Sequence, residues 1–144
     1  MNLYKVLFSH YAPKDSETGI KALLLANNDE QVYEWIASEP DLIEGSMFNS
    51  WKGYEEYKYD PIKEYFVDDD GDEADCGWWD DDGNPELFKD RMLRLKGEIN
   101  DPDADMGDAY YGVTLYGWEL IKENVTSDYS ELIELDIVFN LTNL

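Results

Sequence analysis

Residues 2–36, NLYKVLFSHYAPKDSETGIKALLLANNDEQVYEWI, decide the fold. Tyr4, Val6, Phe8 and His10 alternate with Leu3, Lys5, Leu7 and Ser9, the two-residue period of a strand. Residues 12–19, APKDSETG, cluster Pro, Asp, Ser and Gly and predict a turn. IKALLLA (20–26) then reads as a second strand, antiparallel to the first because so short a connection leaves no room for a crossover. A helix follows. Asn28 is a good N-cap, Gln31 sits at the capping-box position, and Asp29 and Glu30 favour the positive end of the helix dipole. Val32, Trp35 and Ile36 supply its apolar face, and Pro40 limits its length. The opening is β-β-α.

Downstream, Trp51, Tyr54 and Tyr57 mark a short helical face in a region rich in aromatic residues. A further helix is predicted with Asn84 as N-cap, Pro85 at its first position and Glu86 in its first turn. Phe88, Met92, Leu95 and Ile99 would be its buried stripe. Residues 109–121, AYYGVTLYGWELI, are apolar on both faces, as in a central strand. At the C-terminus, Tyr129, Leu132 and Ile133 have helical spacing, and Leu135, Ile137 and Phe139 have that of a strand. No internal repeat or linker divides the chain. The expectation is one α+β domain over residues 1–144, with a mainly antiparallel sheet and two to four helices.

Acidity sets the class of function. The 144 residues hold 34 acids against 11 bases, a net charge of −23. Half of that excess lies in residues 60–86, where 12 acids face one base, Lys63, for a net −11. The centre of this segment is an acidic loop at 68–86, DDDGDEADCGWWDDDGNPE, with Trp78 and Trp79 in its middle. A second acidic loop spans 100–108. Residues 87–100 reverse sign through Lys89, Arg91, Arg94 and Lys96. A field of this sign disfavours direct contact with nucleic acid or an anionic membrane and favours a basic protein partner. If extended, Asp68, Asp70 and Asp72, and likewise Asp101, Asp103 and Asp105, would repeat carboxylates every ~6.6 Å. That is close to the ~7 Å between successive phosphates of a DNA strand. Trp78 and Trp79 then supply apolar area within a charged rim. The alternative for each ring is an anchor to the core. The candidate partner-binding residues are Asp68, Asp69, Asp70, Asp72, Glu73, Asp75, Trp78, Trp79, Asp80, Asp81, Asp82, Glu86, Asp101, Asp103 and Asp105.

Other chemistries find less support. An EF-hand loop needs oxygen ligands at its first, third and fifth positions, glycine at the sixth and glutamate at the twelfth. Aligning Gly83 puts Trp78 first and Lys89 twelfth, and aligning Gly71 puts Phe66 first. Asp101, Asp103 and Asp105 open correctly, but Met106 and Gly112 then stand where glycine and glutamate belong. A structural calcium stays open as an alternative, and no metal ligand or cofactor is assigned. His10 is the single histidine, and Cys76, the single cysteine, lies among acids that disfavour its thiolate. Phosphate-loop, dinucleotide, nucleophile-elbow and zinc-protease motifs are all absent, so no catalytic residue is assigned and no enzyme expected. Without a signal peptide or an apolar stretch of membrane length, the expected location is the cytoplasm.

In size, acidity, aromatic content and its acid-plus-tryptophan stretch, the chain resembles the small acidic anti-defence proteins of phages and mobile elements. These include the DNA mimics of anti-restriction and anti-CRISPR type. The resemblance is one of class and carries over no aligned residue. It implies a non-enzymatic inhibitor that occupies the nucleic-acid groove of a host-defence nuclease. The same electrostatics suit an immunity or antitoxin protein directed at a basic nuclease toxin.

Overall fold

A hairpin lies at the heart of the molecule. In the computed structural model, which describes residues 1–10, 17–38, 51–74, 76–102, 114–125 and 138–140, β1 (Asn2–His10) pairs antiparallel with β2 (Glu17–Ala26). β5 (Thr114–Lys122) pairs antiparallel with the other edge of β1, and β6 (Val138–Asn140) runs parallel to β2. The strand order is β5-β1-β2-β6. Helix α1 (Asp29–Ser38) starts as its capping signals predict. Asn28 Oδ1 accepts the Gln31 N–H at 2.9 Å, and the Gln31 side chain accepts the Asn27 N–H at 2.7 Å. α2 (Trp51–Tyr54) is a single turn. β3 (Lys58–Asp60) and β4 (Tyr65–Val67) form a separate two-stranded sheet, and α3 (Phe88–Leu95) ends in a 3₁₀ turn, Glu98–Asn100. The class is α+β, with the β-β-α opening that the alternation predicts.

One face of the large sheet is the main core. Tyr4, Val6, Ala22, Leu24, Tyr116 and Trp118 pack against Val32, Tyr33 and Ile36 of α1 and Phe88 and Met92 of α3. Trp51 lies at the centre, its ring 5.4 Å from Tyr33, 6.0 Å from Phe88 and 6.3 Å from Trp118. Such aromatic contacts add to the burial of area itself. Leu3, Leu25 and Val125 form a smaller cluster on the opposite face.

Two expectations are corrected in detail. The strand read at 109–121 is β5, but it stands at the end of the strand order rather than the middle, and residues 109–113 lie outside the described ones. Its outer edge is nonetheless covered in part. The Trp118 N–H donates to the Lys96 carbonyl at 2.9 Å, and Gly97 bridges to Gly117. The backbones approach so closely that a Cβ on Gly97 would lie 2.3 Å from Gly117 Cα, and its φ of 108° also demands glycine. Leu115, Tyr116 and Trp118 are buried, whereas Leu120 and Ile121 nearer the end of the strand are 40 % and 47 % exposed.

Helix α3 starts at Phe88, behind a Leu87 cap, and not at Asn84 and Pro85. Those two residues close the preceding turn instead, with Pro85 paired opposite Trp79. The predicted stripe is likewise cut short. Lys96 adopts a left-handed conformation at φ 62°, ending the helix before Ile99. Phe88 and Met92 are buried, and Arg91 is the third buried residue of the helix. The C-terminal helix reading at 127–133 lies outside the described residues. No described helix is long and apolar enough to cross a membrane.

Candidate protein-interaction surface

Residues 57–74 and 76–86 fold as successive hairpin turns, each headed by an aspartate. In the first, Asp60 Oδ1 accepts the N–H groups of Ile62 and Lys63 at 2.9 and 3.2 Å. The next two turns share one construction. Asp68 Oδ1 accepts from the amides of Asp70 (2.9 Å) and Asp72 (3.0 Å), while the Gly71 N–H donates to the Asp68 carbonyl. Asp80 Oδ1 accepts from Asp82 (3.0 Å) and Asn84 (2.9 Å), and the Gly83 N–H donates to the Asp80 carbonyl. Gly71 and Gly83 have φ of 83° and 81°, the left-handed conformation that closes such a turn. Backbone pairs Val67–Glu73 and Trp79–Pro85 flank the two turns. The acidic stretch therefore carries the same turn twice, Asp-Asp-Asp-Gly-Asp and Asp-Asp-Asp-Gly-Asn, a short repeat that the sequence reading passed over.

This construction divides the aspartates into two kinds. Asp68 and Asp80 hold the turns together, because a carboxylate that accepts two backbone N–H groups replaces water in a fixed geometry. Asp69, Asp70, Asp72, Glu73, Asp81 and Asp82 are exposed. Among the described residues no ion pair reaches Asp69, Asp70, Asp72, Glu73 or Asp82, and Arg94 approaches the 91 % exposed Asp81 side chain only to 3.9 Å. The even repeat expected of an extended segment is not present at 68–72, because the backbone turns there. The carboxylates of Asp68, Asp69 and Asp70 fall within 4.8 Å of one another instead.

The tryptophans also part company. Trp78 packs into the base of the hairpins, its ring 5.5 Å from Tyr54, 6.3 Å from Phe66 and 5.1 Å from Phe88. It is an anchor to the core. Trp79 meets Phe66 edge to face at 5.2 Å and remains 48 % exposed.

Arg91, 3 % exposed, fixes the Asp80 turn from below. Its guanidinium donates to both Asp101 oxygens at 2.9 and 2.8 Å, to Glu86 at 3.3 Å and to the Trp79 carbonyl. Arg94 adds a two-pronged pair to Glu86 at 2.8 and 2.9 Å. Glu86 and Asp101, both candidate partner-binding residues, are thus neutralised inside the molecule, with side-chain exposures of 12 % and 9 %. Asp75, Asp103 and Asp105 lie outside the described residues.

The other bases of α3 are occupied as well. Lys89 pairs with Glu30 and Glu34 of α1, and Lys96 with Asp29, whose second oxygen accepts the Trp118 indole N–H at 2.9 Å. Burial pushes the Glu34 carboxyl up, but hydrogen bonds from Lys52 and Lys89 outweigh it and hold the group below the ordinary carboxylate range. The basic run 89–96 is therefore the clasp that joins α3 to α1 and to the acidic loop. Its spacing on one helix was visible in the sequence; its partners were not. Glu98 is a second residue that sequence reasoning missed. Burial pushes its carboxyl up to about 7, against the stabilising N–H groups of Trp51 and Tyr116, and nearby Asp101 raises it further.

Over 134 residues the chain is 40 % identical to the SPbeta prophage-derived uncharacterized protein YoqY of Bacillus subtilis (strain 168), covering 93 % of each protein. The chain belongs to the YoqY family. A relative carried by a prophage is consistent with a phage or mobile-element origin. No family model matches the sequence, and no solved structure matches it.

Proposed function

We propose that this protein is a non-enzymatic inhibitor that binds a basic nucleic-acid-binding protein and blocks its nucleic-acid groove by presenting carboxylates in place of phosphates. The partner class is a host-defence nuclease, such as a CRISPR effector or a restriction enzyme. One observation carries the reading: two equivalent turns hold exposed aspartates on a braced aromatic base, with almost no base compensating them. Rigid placement lowers the ordering cost of binding, and the local excess of charge speeds encounter with a basic groove. The mimicry rests on the tips of two turns and not on an extended ladder of carboxylates. The prophage-derived YoqY relative fits a protein of phage origin, and an immunity or antitoxin role, which shares the electrostatics, is the alternative.

The test is capture of partners from a host lysate, with and without nuclease treatment, followed by competition with duplex DNA. Expected is a basic nucleic-acid-handling protein, retained after nuclease treatment and displaced by DNA. Recovery of DNA or RNA as the direct ligand overturns the reading. Capture of a nuclease toxin encoded beside the gene would transfer it to the antitoxin class.

Calcium binding is a second reading with an observation of its own, the three carboxylates of Asp68, Asp69 and Asp70. A thermal melt with calcium decides it. A rise beyond that given by magnesium at equal ionic strength supports a site, and equal rises mean screening alone.

A further inference from the structure

Glu98 stands apart from the other acids packed around α3. Asp29, Glu34, Glu86 and Asp101 each face a lysine or an arginine, whereas among the described residues no ion pair reaches Glu98. Neutral groups hold its carboxylate instead. One oxygen accepts the Trp51 indole N–H from α2 at 2.8 Å and the Tyr116 N–H from β5 at 3.4 Å. The charged groups around it either repel or are directed elsewhere. Asp101, at the end of the same 3₁₀ turn, is a like charge. Arg91 of α3 is directed at Asp101, Glu86 and the Trp79 carbonyl, Lys96 at Asp29 of α1, and Lys52 of α2 at Glu34 and Glu55. A partly buried carboxyl placed among neutral donors, with an acid and no cation beside it, favours its proton.

Two lines of contact run from this carboxyl to the acidic hairpins. Through Trp51 it fixes α2, whose Tyr54 ring lies 5.5 Å from Trp78, the anchor of the hairpins. Through Asp101 it adjoins Arg91, which holds the Trp79 carbonyl and Glu86 on either side of the Asp80 turn. We infer that Glu98 is a proton-operated latch between the sheet and the hairpins, closed while the carboxyl keeps its proton and loosening the seat of the Asp80 turn when the proton leaves. The ionised form sets a second negative charge beside Asp101 without a cation of its own. Repulsion then weakens the Asp101–Arg91 pair, and water drawn to the new charge opens the Glu98–Asn100 turn. Burial, with Asp101 adding to it, raises the carboxyl to about 7, so the change falls near neutral pH. Because the folded form binds the proton more tightly, the latch is closed below that pH and loosens above it. The device concerns how firmly the turn is seated and stands whatever the turn binds.

Nuclear magnetic resonance of the isotope-labelled full chain reads both ends of the latch. The Trp51 indole N–H and Arg91 Nε–H signals are followed from pH ~5.5 to ~8.5, spanning the ordinary carboxylate range and neutrality. Expected is a shift of both signals with a shared midpoint near 7, lost at both in Glu98→Gln, which keeps an acceptor for the indole N–H. His10→Gln, a change at the single histidine, should leave both midpoints in place. The parent protein alone can overturn the latch, by showing no midpoint at Trp51 in this interval. A midpoint that survives Glu98→Gln, or that His10→Gln removes, overturns it equally. A midpoint at Trp51 with none at Arg91 overturns the link to the hairpins and leaves Glu98 a structural residue.

Discussion

Trp78 and Trp79 are adjacent in sequence and identical in chemistry, yet the hairpin sends one ring inward and leaves the other half in water. Truncating them should therefore have different consequences. Trp78→Ala removes contacts to Tyr54, Tyr57, Phe66 and Phe88 and is expected to cost about 3–5 kcal/mol of stability. Trp79→Ala should cost less than about 1.5 kcal/mol. Urea denaturation of both variants checks this, and equal losses would mean that Trp79 is also a core residue. Glu98 gives a prediction in pH. Burial raises its folded carboxyl to about 7, above the ordinary carboxylate range. A raised acid pKa means that the folded state binds the proton more tightly, so stability falls as pH rises through this interval. Glu98→Gln keeps an acceptor for the Trp51 indole N–H and has no charge to bury. Between pH ~5 and ~8 the melting temperature of the variant should fall less than that of the parent protein. Identical pH profiles would show that Glu98 titrates normally.

The unit that matters at the next scale is the repeated turn. Its first aspartate is structural and its second and third are not, although all three read alike. Asp80→Ala leaves the amides of Asp82 and Asn84 without their acceptor and is expected to cost about 1 kcal/mol. Asp80→Asn retains an oxygen in the same place and should recover most of that loss. Asp81→Ala should be neutral within about 0.5 kcal/mol, or slightly stabilising, since it removes one exposed charge from a crowded set. Chemical denaturation of the three variants ranks them. If Asp80→Ala and Asp81→Ala prove equal, the turn does not depend on its leading carboxylate.

Over the whole molecule, a charge of −23 gives salt two opposed effects. Screening relieves self-repulsion, so the melting temperature should rise with sodium chloride. The same screening shortens the reach of the exposed aspartates, so association with a basic partner should slow over the same range. Position should matter beyond total charge. Reversing Asp81 and Asp82 to lysine should reduce the association rate, measured by stopped flow, far more than the same change at exposed Glu64 and Glu123. Equal reductions would mean that net charge alone drives the encounter.

Local rules determined what could be read directly from the chain. Alternation marked β1 and β2, a capping box marked the start of α1, and both depend on residues within a few positions of one another. The acidity and its concentration in residues 60–86 were equally plain, because charge is a property of composition. The start of α3 was misread because Asn84 and Pro85 suit a helix cap and a turn alike, and pairing with residues 79 and 80 assigned them to the turn. Which acids face solvent was decided only in three dimensions. Glu86 and Asp101 are indistinguishable from Asp82 as letters, but the buried guanidinium of Arg91 draws them inward, since a charge removed from water must be matched where it lies. Trp78 and Trp79 were separated by apolar packing instead. The hairpin at 77–86 has one side against the core and one in water, and only that packing determines which ring lies on which side.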